Sequence, residues 1–78
     1  MKINDFIKNF SGQFEEANLS MFTSETRFRD LEEWSSLTAL SVMAMTEEEY
    51  GVRLNGNDMR SAVTVGDLYN IVKARTDE

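Results

Sequence analysis

The 78-residue chain contains no cysteine and no histidine. These absences exclude disulfides, thiolate nucleophiles, imidazole bases and the usual zinc ligands. Proline is also missing, and no repeat, low-complexity tract or composition shift indicates a boundary within the chain. We therefore predict a single domain, residues 1–78, with a thin core and no deep catalytic cleft.

Basic residues are few, since eight lysines and arginines stand against fourteen acidic residues and give a net charge of −6. A surface of this sign repels nucleic-acid phosphates and anionic lipids, so we expect protein partners with basic patches and no nucleic acid. The longest mainly apolar run, Leu37–Met45, is far shorter than the roughly 20 residues that span a bilayer. Residues 1–5 lack a signal-peptide core. We expect a cytoplasmic monomer without membrane insertion.

The apolar residues that are present near the N-terminus have helical spacing. They recur at steps of three and four, at Ile3, Phe6, Ile7, Phe10 and Phe14. This stripe predicts a first helix that ends near Phe14 to Ala17 and buries one face. The pattern from Asn18 to Trp34 is irregular, which predicts a long connecting loop held by its own hydrophobic side chains.

The second helix has clear start and stop signals. Ser35 is a candidate N-cap, because its hydroxyl can accept a hydrogen bond from a backbone N–H two or three residues later. Ser36 then lies in the first turn. We expect the helix to run to about Tyr50, with Gly51 as its C-terminal stop.

Two shorter patterns complete the chain. Asn55–Asn57 is predicted as a turn, followed by a short third helical turn over Asp58–Ser61. Thr64 and Asp67 have the spacing of a cap and a first-turn acid at the start of a last helix. The fold class is therefore all-α, and we predict a small antiparallel four-helix bundle with three longer helices and one short helix.

The second helix has two candidate apolar faces, and only one can point fully inward. We assign to the core the face that carries Ala39, Val42, Met43, Thr46 and Tyr50. This choice leaves Leu37 and Leu40 exposed beside Ser36. Exposed leucines followed by Glu47 and Glu48 indicate a docking surface with charge at its far end.

Several segments together resemble one protein family. Ser36-Leu37 opens the second helix, and Phe28 stands eight residues ahead of the serine. Glu47–Val52 forms an acidic and aromatic helix end, and Thr64–Leu68 opens the last helix. Over about residues 26 to 73 the chain is similar to acyl carrier proteins, whereas the first helix agrees in pattern more than in letters.

The resemblance implies a function as a carrier and no enzymatic activity. Ser36 would carry 4′-phosphopantetheine, donated by coenzyme A, and hold acyl or aminoacyl groups as thioesters. The implied partners are a phosphopantetheinyl transferase and acyl-chain-handling enzymes with basic docking patches, in fatty acid, polyketide or another specialised biosynthesis. The implied partner-binding residues are Ser35, Leu37, Leu40, Ser41, Ala44, Glu47 and Glu48.

Some positions depart from the family pattern. Ser35 stands where acyl carrier proteins of fatty acid synthesis usually have aspartate, so capping is retained but the negative charge is lost. Thr38 and Ser41 also occupy positions that often carry carboxylates. These differences point to a specialised carrier, although carrier domains of peptide synthesis also have non-acidic residues before the serine.

Other interpretations of the same residues remain open or are weaker. An unmodified acidic helical adaptor could bind a protein through the second helix, with Ser36 in the first turn as no more than a capping residue. Asn55–Asp58 lacks the alternating ligands and closing glutamate of a calcium loop. Glu47–Glu49 point in different directions, so we predict no metal site.

Overall fold

The computed structural model describes residues 1–15 and 19–76, and the regular structure in these ranges is helical. The helices are α1 (Ile3–Ser11), α2 (Ser36–Tyr50), α3 (Gly56–Ser61) and α4 (Val65–Arg75). Two 3₁₀ turns, Leu19–Met21 and Phe28–Asp30, lie between α1 and α2. Helix α1 packs on α2 and α4, and α3 packs on α4. The prediction of three longer helices and one short helix is confirmed.

The predicted end of α1 is wrong. The helix ends at Ser11, while Phe14 lies in the following turn, and Ala17 and Asn18 lie outside the described residues. Gly12 follows the helix, and the amides of Gln13 and Phe14 bond three residues back, to the carbonyls of Phe10 and Ser11. The apolar pattern continues past the helix because the turn still directs the Phe14 side chain into the core.

The predicted start of α3 is also wrong, since Gly56 and Asn57 belong to the helix and not to a turn. Asn55 caps α3 by accepting a hydrogen bond from the Asp58 amide at 2.9 Å. The Asp58 carboxylate accepts the Asn55 amide in return at 3.0 Å. This reciprocal capping box satisfies two backbone groups and allows the helix to begin directly after Asn55.

Asp58 also joins α3 to the end of α4. Its two carboxylate oxygens accept hydrogen bonds from the two terminal nitrogens of Arg75, each at 2.7 Å. The Arg75 bonds, followed by the Asn55 amide, hold the pKa of the Asp58 carboxyl below its ordinary value of 3.8. Just before α4, the backbone amides of Val63 and Thr64 donate hydrogen bonds to the Asp67 carboxylate and lower its pKa below the ordinary value.

Aromatic rings form the centre of the core and hold the connecting segment, residues 19–34, against α1. The Phe10 ring lies 5.8 Å from Phe22 and 6.0 Å from Phe28. Phe14 lies 5.2 Å from Phe22. All four side chains are buried, which confirms that hydrophobic residues of the segment anchor it.

The connecting segment also meets the start of α4 through its backbone. The Gly66 amide donates to the Ser24 carbonyl at 2.8 Å, and the Val65 amide donates to the Thr26 carbonyl at 3.0 Å. A Cβ atom on Gly66 would lie 2.9 Å from the Ser24 carbonyl oxygen. Because that contact is with backbone, a side chain at Gly66 would force the two segments apart.

We predict that Gly66→Ala destabilises the protein by about 1–3 kcal/mol, since overpacking outweighs the gain in helix propensity. Urea denaturation measures the change. Gly56→Ala is the matched control, because its Cβ would first meet the flexible end of Arg60, at 3.4 Å. Equal or greater stability of the Gly66→Ala variant would contradict the close approach of the connecting segment to α4.

Asp58→Asn should reduce stability near neutral pH, because Arg75 loses its carboxylate partner. The loss should be only about 1 kcal/mol, since solvent around half-exposed Arg75 screens the ion pair. A lowered folded-state pKa means that the carboxylate stabilises the fold fully above the ordinary pKa. This contribution is lost as the pH falls through the lowered value. The difference in stability between the two proteins should therefore shrink as the pH falls below the ordinary value of 3.8, as measured by urea denaturation at a series of pH values from 7 downward. Asp30→Asn, at an exposed position, is the control.

Candidate functional site

The start of α2 is fixed by the N-cap that the sequence predicts. The Ser35 backbone is extended, its hydroxyl accepts the Thr38 amide at 3.2 Å, and its carbonyl accepts the Ala39 amide at 2.9 Å. The Thr38 hydroxyl donates to the Glu33 carbonyl at 2.8 Å. These bonds tie the residues on both sides of Ser36 and set the position where its side chain leaves the helix.

Ser36 is the first residue of α2, and its side chain is exposed. Among the residues that the structure describes, none makes a hydrogen bond to its hydroxyl. The first turn of α2 contains no acidic residue. The hydroxyl is therefore accessible at the positive end of a helix dipole, where an attached phosphate would be favoured.

The predicted partner-binding residues of α2 share one side of the helix, which we call the outer face. It consists of Leu37, Leu40, Ser41, Ala44, Glu47 and Glu48. All are exposed except Ser41, which is half-buried. The side chains of Leu37 and Leu40 are 74% and 60% exposed, so the prediction that they avoid the core is confirmed. Ser35, also exposed, adjoins this face at the helix start.

The opposite side of α2 is held by the core. Val42 and Thr46 are buried as predicted, whereas Ala39, Met43 and Tyr50 are half-buried. Met45 is also buried, although the predicted core face omits it.

Hydrogen bonds hold the C-terminal half of α2. The buried Thr46 hydroxyl lies 2.9 Å from the Met43 carbonyl and 3.0 Å from the Val52 carbonyl. The Asn9 side chain of α1 donates to the Tyr50 hydroxyl at 2.9 Å. Gly51 ends the helix at a φ of 69°, in the left-handed region that glycine tolerates, and this confirms the predicted stop.

Trp34 lies two residues before Ser36, and its ring belongs to the edge of the core. The ring is half-buried and lies 4.8 Å from Phe28 and 6.5 Å from Phe10. The aromatic cluster therefore continues to the residue that precedes the N-cap. Through this contact the core helps to position the start of α2.

The charge at the far end of the outer face is partly paired within the chain. Glu47 Oε2 accepts a hydrogen bond from Arg53 at 3.0 Å, across the turn that follows α2. This bond, together with the negative charge of Glu47, raises the pKa of Arg53 above its ordinary value. The sequence pattern does not predict this pair, because its six-residue separation crosses a helix end and has no regular spacing.

Two further observations apply to residues 1–15 and 19–76, the ranges that the structure describes. No three acidic side chains in them lie close enough together to hold a metal ion. None of their helices is both long and apolar enough to cross a membrane.

Comparison of the chain with protein-family models, curated proteins and solved structures finds no match.

We expect Ser35→Ala to reduce the free energy of unfolding by about 1 kcal/mol, because the Thr38 amide loses its capping acceptor. Ser35→Asp should retain the stability of the original chain, since a carboxylate can cap and also favours the helix dipole. Urea denaturation followed by circular dichroism compares the three proteins. Similar stability of the alanine and aspartate variants would show that the cap contributes little.

Proposed function

We propose that this protein is an acyl carrier protein that bears 4′-phosphopantetheine on Ser36 and delivers acyl or aminoacyl thioesters to partner enzymes. The observation that carries the proposal is the exposed Ser36 hydroxyl at the first residue of α2, followed by exposed Leu37 and Leu40. This arrangement supports the resemblance to acyl carrier proteins at the start of α2, the segment that would hold the prosthetic group. The protein is a cytoplasmic monomer without catalytic activity of its own, and its helices form an antiparallel bundle.

The attachment needs an enzyme. The Ser36 oxygen attacks the phosphorus of coenzyme A that bears the pantetheine arm, and the bond from that phosphorus to the adenosine bisphosphate breaks. No described side chain makes a hydrogen bond to the hydroxyl, so the transferase must accept its proton. The product is a phosphodiester beside the first amides of α2, and the helix dipole favours its negative charge.

The local structure suits a modified serine. Helix α2 is capped by the Ser35 hydroxyl and carbonyl, so the start of the helix does not depend on the Ser36 side chain. Ser36 can therefore be modified, or replaced, without loss of the cap. The adaptor interpretation uses the same outer face but gives the Ser36 hydroxyl no role.

The test is to incubate the purified protein with coenzyme A and a broad-specificity phosphopantetheinyl transferase, and to locate the added mass by peptide mass spectrometry. We expect one phosphopantetheinyl group, on Ser36. Ser36→Ala should fold normally and accept none. Ser61→Ala is the matched control, because it removes an exposed serine hydroxyl at the end of α3, away from α2, and should still be labelled on Ser36.

An unmodified protein after trials with several transferases, including one from its own source, would refute the carrier proposal. In that case the adaptor interpretation becomes the better account. It predicts that Ser36→Ala binds its protein partner as well as the original chain does.

A further inference from the structure

We propose that Asn55-Gly56 is a site of spontaneous deamidation, and that the Asp58–Arg75 ion pair slows the reaction by keeping α3 and its capping box folded. The proposal concerns a covalent change that needs only water, and it does not rest on the proposed function. Asparagine is a chemically labile residue. The chain contains a single Asn-Gly step, at these two positions. Both residues are exposed, so water reaches them.

The reaction begins at the Gly56 amide nitrogen, which attacks the side-chain carbonyl carbon of Asn55. A bond forms between these two atoms, the Gly56 amide gives up its proton, and Nδ2 of Asn55 leaves as ammonia. Water then opens the resulting five-membered succinimide at either of its carbonyls, which gives aspartate or isoaspartate at position 55. Glycine favours the attack because it has no side chain to hinder the approach. As the first residue of α3, Gly56 also has no intrahelical acceptor for its amide.

The folded geometry of the α3 start opposes this ring closure. The ψ angle of Asn55 is 178°, so the Gly56 nitrogen lies trans to the Asn55 nitrogen and outside the plane in which the ring would form. The Asn55 side-chain oxygen accepts the Asp58 amide at 2.9 Å, and the Asn55 amide donates to the Asp58 carboxylate at 3.0 Å. The capping box must therefore open before the side chain can reach the Gly56 nitrogen.

Asp58 makes both bonds of the capping box, and α4 fixes Asp58. Its carboxylate accepts two hydrogen bonds from Arg75, each at 2.7 Å, and its side chain is only 11% exposed. From the connecting segment, Arg29 donates to the Met59 carbonyl at 2.7 Å. Helix α3 has six residues and depends on such contacts, because so short a helix is not stable alone. Local opening of α3 exposes Asn55 to the reaction, and Arg75 opposes this opening.

The two products differ in their effect on α3. Aspartate at position 55 retains an oxygen that can cap the helix. Isoaspartate instead routes the main chain through the side chain, which adds a methylene to the backbone and displaces the groups that pair with Asp58. The reciprocal capping box is then lost. Formation of isoaspartate therefore loosens α3 irreversibly.

The test is to incubate the full chain in mildly alkaline buffer, with and without denaturing guanidinium chloride. Peptide mass spectrometry and labelling by an isoaspartyl methyltransferase follow position 55. We expect aspartate and isoaspartate to form there in the denatured chain, and at least about tenfold more slowly in the folded protein. Arg75→Gln should accelerate the reaction of the folded protein about twofold to fivefold, because α3 opens more often.

Two variants serve as controls. Arg53→Gln is the matched control for Arg75→Gln, because it removes the arginine of the Glu47 ion pair, outside α3 and α4, and should leave the rate unchanged. Gly56→Ala should slow the reaction in the folded and in the denatured chain, because the added methyl group hinders the attack. Its Cβ would first meet the flexible end of Arg60, so the fold tolerates it. Circular dichroism without denaturant verifies that the helices of each variant are intact.

The results that contradict the proposal are distinct. Equal rates in the folded and the denatured chain would show that α3 gives no protection. An Arg75→Gln variant that reacts no faster than the original chain would overturn the role of the ion pair. The same conclusion follows if Arg53→Gln accelerates the reaction as much as Arg75→Gln does. A denatured chain that stays unmodified at position 55 refutes the site itself.

Discussion

The rotation of α2 about its own axis decides which side chains meet solvent, and core contacts on one side of the helix fix it. Val42 and Thr46 are fully buried, and the Thr46 hydroxyl bonds backbone within α2 and beyond its end. Asn9 holds Tyr50 from α1. With these contacts made, Leu37 and Leu40 have no access to the core. The exposed apolar surface beside Ser36 is thus a consequence of packing on the opposite side.

The position of Ser36 depends on the aromatic cluster as well. Phe10 of α1 contacts Phe28 and Trp34, so the end of the connecting segment is held against the core directly before the N-cap. Ser35 then begins α2 through two backbone amides. An anchored segment on one side and a capped helix on the other keep the hydroxyl at a defined place while leaving it exposed. A group attached there would start from a rigid base.

Most local signals were predictable from the sequence, although the Asn55–Asp58 capping box was interpreted as a turn, and contacts between distant residues were not predictable. The Ser35 cap, the Gly51 stop and the Thr64–Asp67 capping box each depend on residues within one turn, and all three are present. The end of α1 was predicted wrongly because Phe14 lies after the helix, yet still stands at helical spacing from the apolar residues before it. Met45 was missed because the core covers a wider arc of α2 than one stripe predicts. The exposure of the outer face was predicted correctly, because the opposite side of α2 was assigned to the core.

Net charge can affect both how fast a partner approaches and how strongly it binds. The Glu47–Arg53 pair separates these two effects, because it neutralises one carboxylate of the outer face. The overall charge of −6 acts over a distance comparable with the Debye length and speeds encounter with any basic protein. Affinity, however, depends on the groups in contact, and on the outer face one carboxylate is already paired within the chain. Attraction by net charge acts over a longer distance than any contact made by the exposed leucines. The outer face therefore combines exposed leucines with a carboxylate that is already paired within the chain.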